Sequence, residues 1–152
     1  QATTDLPALD IVGIALRTNN RVGFETIPPH WQRFYQQQVL KQIAHKASDD
    51  VYAVYGLFEN PEVLQTQGVH DLAYTLVIGA AVTRLGELPA GLQHVRVPAQ
   101  RYQVFAAPTG QPQQVGTLWQ HIWAQPLPRA FVADFERYKP GGEIDVLVGL
   151  QP

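Results

Sequence analysis

The chain has 152 residues, 45% of them apolar and 16% charged, and a formal net charge of −2. That is one domain with enough surface to bury for a real core, too apolar for disorder and too often interrupted by polar residues for a membrane-spanning helix. Lys and Arg are scattered singly, so no basic stripe invites nucleic acid, and the absence of cysteine excludes disulfides, thiolate metal sites and cysteine nucleophiles.

The N-terminus lacks the basic, apolar and small-residue regions of a secretory signal, so the cytoplasm is the expected location. The first strand is expected over residues 9 to 16, where "LDIVGIALR" is apolar and β-branched, with the turn pair Asn19-Asn20 beyond it. A helix then starts at Pro28-Pro29, because proline suits the first turn, and runs through "HWQRFYQQQVLKQIAHK" with Trp31, Phe34, Tyr35, Val39 and Ile43 at helical spacing. "VYAVYGLFE" (51 to 59) and "AYTLVIGAAV" (73 to 82) read as a hairpin with a long polar loop holding Asn60-Pro61 and Gly68. "LQHVRVPAQRYQVFAA" is a strand region broken by Pro98, which implies a bulge or an edge position. In "QPQQVGTLWQHIWAQPL", Val115, Leu118, Trp119, Ile122 and Trp123 form one helical stripe that Pro126 ends. "AFVADFERY" and "EIDVLVGLQ" close the chain as two strands.

Strand, helix, strand, strand thus occurs over residues 9 to 84 and again over 92 to 150, with "GLFENP" beside "ADFERYKP". The expected fold is α+β: a duplicated βαββ repeat, antiparallel sheets with two helices, and a central ligand cleft on a pseudo-twofold axis.

The residue that asks for a function is Glu136. On a strand, Asp134, Glu136 and Tyr138 share one face and Ala133, Phe135 and Arg137 the other, so the neighbouring Arg137 points away. Two readings are open. Either this face is an exposed edge where a glutamate is ordinary, or a desolvated carboxylate waits for hydrogen bonds, a cation or a proton. Three Trp, six Tyr and six Phe supply π faces that attract cations, worth about 2 kcal/mol when desolvated. By parity Tyr55 shares the face of Glu136. Tyr74, Trp31, Tyr35, Trp119 and Trp123 are further candidates, although a tryptophan on a helical stripe, Trp119 above all, ordinarily packs in the core. Glu59 reads as a solvated strand end and Glu143 as a turn residue.

The histidines at 30, 45, 70, 94 and 121 form no metal-binding pair, and His121 falls off the apolar stripe, so no metal is expected. Ser48, the single serine, sits in a polar loop, and no nucleophile elbow or phosphate loop is present. No haem ligand is identified, and no cofactor is expected.

The order of elements, the helix "VGTLWQHIWAQPLP", the following "DFERY" and the terminal apolar strand resemble the GyrI-like effector-binding domain, the ligand-sensing part of AraC-type and MerR-type multidrug regulators. The resemblance spans residues 9 to 150. It implies two βαββ repeats around a cleft, and a buried glutamate, here Glu136, that meets cationic aromatic ligands. With eight residues ahead of the first strand, a stand-alone version without DNA-binding helices is expected. The implied function is non-catalytic binding of lipophilic or aromatic organic cations, with Tyr138 and the other aromatics around Glu136. Two alternatives come with the family: a hydrolase of strained, cyclopropane-containing electrophiles that uses the same glutamate as a base, and a surface that binds a protein such as gyrase. A homodimer is also compatible with it.

Overall fold

Eight strands form a single antiparallel sheet in a computed structural model that describes residues 2–56, 58 and 73–152. They are β1 (Ala2–Leu6), β2 (Leu9–Asn19), β3 (Val51–Gly56), β4 (Ala73–Val82), β5 (Gln93–Val97), β6 (Gln100–Ala107), β7 (Ala133–Tyr138) and β8 (Ile144–Gly149). Across the sheet the order is β1-β6-β8-β7-β3-β4-β2-β5. Among the described residues, helices α1 (Gly23–Gln36), α2 (Val39–Gln42) and α3 (Val115–Trp123) accompany the sheet in an α+β fold. The expected plural sheets are thus one. The loop with Asn60-Pro61 and Gly68, together with Glu59 and His70, lies outside the described residues.

This sheet must curl. Leu6 to Leu9 and Val97 to Gln100 each join strands from opposite ends of the sheet, and three Cα steps span at most about 11 Å. The two ends therefore approach each other and enclose one face, where Ile11, Tyr52, Val77, Tyr102, Phe135 and Leu147 form a core with Leu6 and Leu9 against it. The passage at Pro98 is accordingly neither a bulge nor a break within one strand. It is a crossover between the β5 edge and β6, which pairs with β1 and β8.

Gly13 and Gly79 stand opposite each other in the β2–β4 ladder. A Cβ on Gly13 would overlap the Ile78 carbonyl, and one on Gly79 the Val12 carbonyl. Bare backbone here lets two long strands approach closely. Gly79→Ala is expected to lower stability by about 3 kcal/mol, because backbone rather than a side chain would have to move. The urea midpoint reads this directly, and an unchanged midpoint would refute it.

The helices cover the opposite face. In α1, Ile27, His30, Trp31 and Phe34 face the sheet in the i, i+3, i+4, i+7 pattern. His30 is buried, its Nε2–H donating to the Ile14 carbonyl at 3.0 Å and its Nδ1 accepting from Arg33 at 3.0 Å. The helix begins at Gly23 rather than at Pro28, and both prolines sit inside it on the exposed side. Its first turn is fixed earlier: Asn19 Oδ1 accepts the Val22 N–H, Thr26 N–H donates to the Val22 carbonyl, and the Thr26 hydroxyl bonds Thr18 at 2.7 Å. The expected single helix also breaks at Gln38, whose φ is 50°. Val39 and Ile43 still reach the same core beyond the break, through α2.

On the other half, Val115, Trp119 and Ile122 of α3 pack with Phe105, Val146 and Val148. Tyr55 and Tyr138 lie against both helical clusters. They belong to the central strands β3 and β7, and the gap between the two helices opens above them. Among the described residues, no helix is long and apolar enough to cross a membrane.

Candidate functional site

A cavity of about 630 Å³ occupies that gap. Residues of α1 form one wall, residues of α3 the other, and β3, β4 and β7 supply the floor with Tyr55, Tyr74, Asp134, Glu136 and Tyr138. Period-two geometry puts the last three on one side of β7, while Phe135 turns to the enclosed core beside Tyr52 and Tyr102. Arg137 also turns away and pairs with Asp145 on β8 at 3.2 Å.

Glu136 is 2% exposed, so it does not lie at an exposed strand edge. Its Oε2 accepts from the Tyr55 hydroxyl at 2.7 Å and from the Trp119 Nε1–H at 2.7 Å, and its Oε1 from the Tyr138 hydroxyl at 2.6 Å. All three donors are neutral. Tyr55 reaches it diagonally, since Ala53 is the residue paired with Glu136 and Tyr55 lies two positions along the same face of β3. Burial pushes the Glu136 carboxyl above its ordinary value, and the bonds from Tyr138, Tyr55 and Trp119 oppose that shift without cancelling it. The phenols move the same way. Burial, reinforced by the negative charge of Glu136, raises Tyr74 to about 12 and carries Tyr55 and Tyr138 upward too, so each keeps its proton.

A second carboxylate lies two residues earlier. Asp134 is buried, accepts the Gly149 N–H at 2.7 Å and pairs with Arg129 at 2.7 Å. Burial raises its carboxyl, with Arg129 the main opposing influence. Arg129 lines the cavity, with its guanidinium carbon 4.2 Å from the Phe131 ring centre and 5.9 Å from that of Trp119.

Seven of the eight residues expected at the site line this cavity: Glu136, Tyr55, Tyr74, Trp31, Trp119, Trp123 and Tyr138. Tyr35 does not. It is 65% exposed and stacks on the outer side of Trp31, ring centres 6.0 Å apart. Helical spacing alone placed it on the buried stripe, but it falls next to the core residue Phe34 and points outward. Trp119 is both a core residue and a cavity residue, packed in the α3 cluster with its indole N–H on Glu136. Arg129, Asp134, Phe24 and Phe58 also line the cavity. Strand parity already put Asp134 beside Glu136, whereas Arg129 lies in the irregular segment before β7 and carries no periodic signal. His121 and Glu143 are exposed, in keeping with solvated roles. Among the described residues, no group of three or more His, Cys, Asp or Glu side chains could hold a metal ion.

The fold is that of a GyrI-like effector-binding domain. Several solved structures share the fold, among them the following three. An integron cassette protein from the mobile metagenome of Vibrio cholerae is 23% identical with a TM-score of 0.75, the match covering 99% of this chain and 95% of that one. A putative transcription regulation protein from Staphylococcus aureus MU50 is 17% identical with a TM-score of 0.75, covering 99% and 97%. SAV2435, solved bound to tetraphenylphosphonium, is 18% identical with a TM-score of 0.77, covering 99% and 93%. No curated protein matches the chain in sequence. Residues 4–150 match the family described as Cass2, integron-associated effector binding protein, and the chain belongs to that family.

Proposed function

We propose that this domain is a non-catalytic binding protein for lipophilic or aromatic organic cations, with Glu136 as the charge anchor. The observation that carries the reading is the ligation of Glu136: a buried carboxylate, held by three neutral donors and, among the described residues, by no cation. Hydrogen bonds hold a carboxylate in place but leave its charge uncompensated, and a bound cation would supply the compensation. Tyr55, Tyr74, Tyr138, Trp31, Trp119 and Trp123 add π faces whose attraction for a desolvated cation is worth about 2 kcal/mol. A cavity of about 630 Å³ falls within the range of roughly 300–1,000 Å³ usual for drug-sized ligands. Both oxygens of Glu136 already accept bonds, which supports a fixed charge over a poised general base. The tetraphenylphosphonium bound by SAV2435 is a lipophilic cation and supports the same ligand class.

The reading extends to the architecture. The strand order is unchanged when β2 and β6, β3 and β7, β4 and β8, and β1 and β5 exchange places end for end. This supports two βαββ repeats, over residues 9 to 84 and 92 to 150, in one domain with the cleft on their shared axis.

Titration followed by tryptophan fluorescence tests the ligand class. Methyltriphenylphosphonium is expected to bind at least tenfold more tightly than its uncharged isostere triphenylethane, because only the cation meets the charge of Glu136. Equal affinities would remove the charge anchor from the reading.

A further inference from the structure

The Arg129–Asp134 pair has no part in anchoring a cation, yet its guanidinium forms cavity wall beside Glu136. Building on the organic-cation reading, we propose that Arg129 is a specificity-determining residue that receives a neutral hydrogen-bond acceptor, a carbonyl or ester oxygen, carried by the bound cation.

Placement comes first. Asp134 and Glu136 are two residues apart on one strand face, so their backbones are about 7 Å apart along β7. Trp119 joins the two positions, its Nε1–H on Glu136 at 2.7 Å and its ring centre 5.9 Å from the Arg129 guanidinium carbon. Trp119 thus holds the carboxylate and the guanidinium along one wall of the cavity, within the span of one ligand.

Donor capacity comes second. A guanidinium carries five N–H donors and no acceptor. The Arg129 side chain is 10% exposed, and among the described residues it makes one hydrogen bond, from Nη2 to Asp134. Its Nε is closed to solvent and, among the described residues, has no acceptor. The donors a ligand can meet are on the part of the guanidinium that stays exposed, and an acceptor delivered into the cavity gives them a bond in a largely desolvated place. Asp134 and the Phe131 ring fix the plane of the guanidinium, so the donors are oriented before the ligand arrives.

Charge decides what kind of acceptor fits. Two carboxylates and one guanidinium leave one negative charge when both acids are ionised, and a monocation brings the cavity to neutrality. A ligand carboxylate would restore the excess in a desolvated space and face Asp134. A neutral oxygen adds the hydrogen bond without the charge. The ligand class is thus a monocation with a carbonyl or ester about one strand repeat from its positive centre.

Three dyes with one xanthylium cation separate the terms: tetramethylrosamine, with no acceptor; tetramethylrhodamine methyl ester, with a neutral one; and tetramethylrhodamine, with a carboxylate. The wild-type protein is expected to bind the ester about tenfold more tightly than the rosamine, and more tightly than the carboxylate dye by a similar factor. In the double variant Arg129→Met, Asp134→Asn the pair is removed as a unit, so no lone charge stays buried. There the ester should lose its advantage over the rosamine to within about twofold. Equal binding of ester and rosamine by the wild-type protein, or an ester advantage that survives in the variant, would overturn the proposal. If the variant does not fold, the order of the three dyes on the wild-type protein decides it. Failure of the rosamine itself to bind the wild-type protein would instead sink the organic-cation reading, and this proposal with it.

Discussion

Glu136→Gln is expected to weaken tetraphenylphosphonium binding roughly 30- to 1000-fold, the loss of about 2–4 kcal/mol that follows removal of one partner of a desolvated charge pair. Uncharged aromatic ligands of similar size should change less than about threefold. The substitution isolates charge because Gln has the same shape. Its amide oxygen can accept from Tyr55 or Trp119, and its amino group can donate to a phenol oxygen, so the cavity walls keep their places. The same change should raise the urea midpoint of the unliganded protein at neutral pH. Burial lifts the Glu136 carboxyl above its ordinary value, so the ionised form is the costlier one inside the fold, and Gln imitates the neutral form. Lost cation affinity joined to gained stability is the signature of a residue kept for binding. Calorimetric titration and denaturation of the two proteins check both halves. A variant that loses charged and neutral ligands alike has lost its cavity shape, and one that loses neither makes Glu136 a passive core acid.

Strand parity made much of the site legible in the sequence. It needs no tertiary knowledge to put Asp134, Glu136 and Tyr138 on one side of β7 and Arg137 on the other, and both placements hold in the fold. The helical stripe of α3 was equally readable, since Val115, Trp119 and Ile122 recur at the right spacing and Pro126 follows. Local pattern fails where distant contacts decide. β1 reads "ATTDL", too short and polar to announce itself, and becomes a strand because β6 offers a ladder and Arg101 offers Asp5 a partner at 3.1 Å. The start of α1 was drawn to Pro28, although contacts of Asn19, Thr18 and Thr26 had already wound the first turn. Closure of the sheet, and with it the pairing of Gly13 with Gly79, depends on residues more than sixty positions apart. Arg129 was hidden for another reason: its partners Phe131 and Asp134 are near in the chain, but the segment that carries it is irregular and has no period to read.

Acid should act on this protein in two opposite directions at once. A carboxyl whose folded value lies above its unfolded one binds its proton more tightly in the fold, so its contribution favours folding increasingly as pH falls through the folded value. That contribution levels off below the ordinary glutamate value of about 4.3. Cation binding has the reverse sign, because the charge that attracts the ligand disappears over the same window. With a phosphonium, whose own charge does not titrate, the slope of log affinity against pH should approach one below the raised Glu136 value. It should be flat in Glu136→Gln. Two other buried groups titrate nearby. Asp134 is raised by burial and acts in the same sense as Glu136, whereas burial lowers His30, so its contribution to stability is lost as pH falls. Both are present in the variant as well, and the difference between the two proteins isolates Glu136. Paired titrations from about pH 8 to about pH 5, with urea midpoints taken at the same points, should therefore show affinity and relative stability diverging in the wild-type protein alone. Parallel falls in both, with no difference between the proteins, would mean that the proton and the cation do not compete for Glu136.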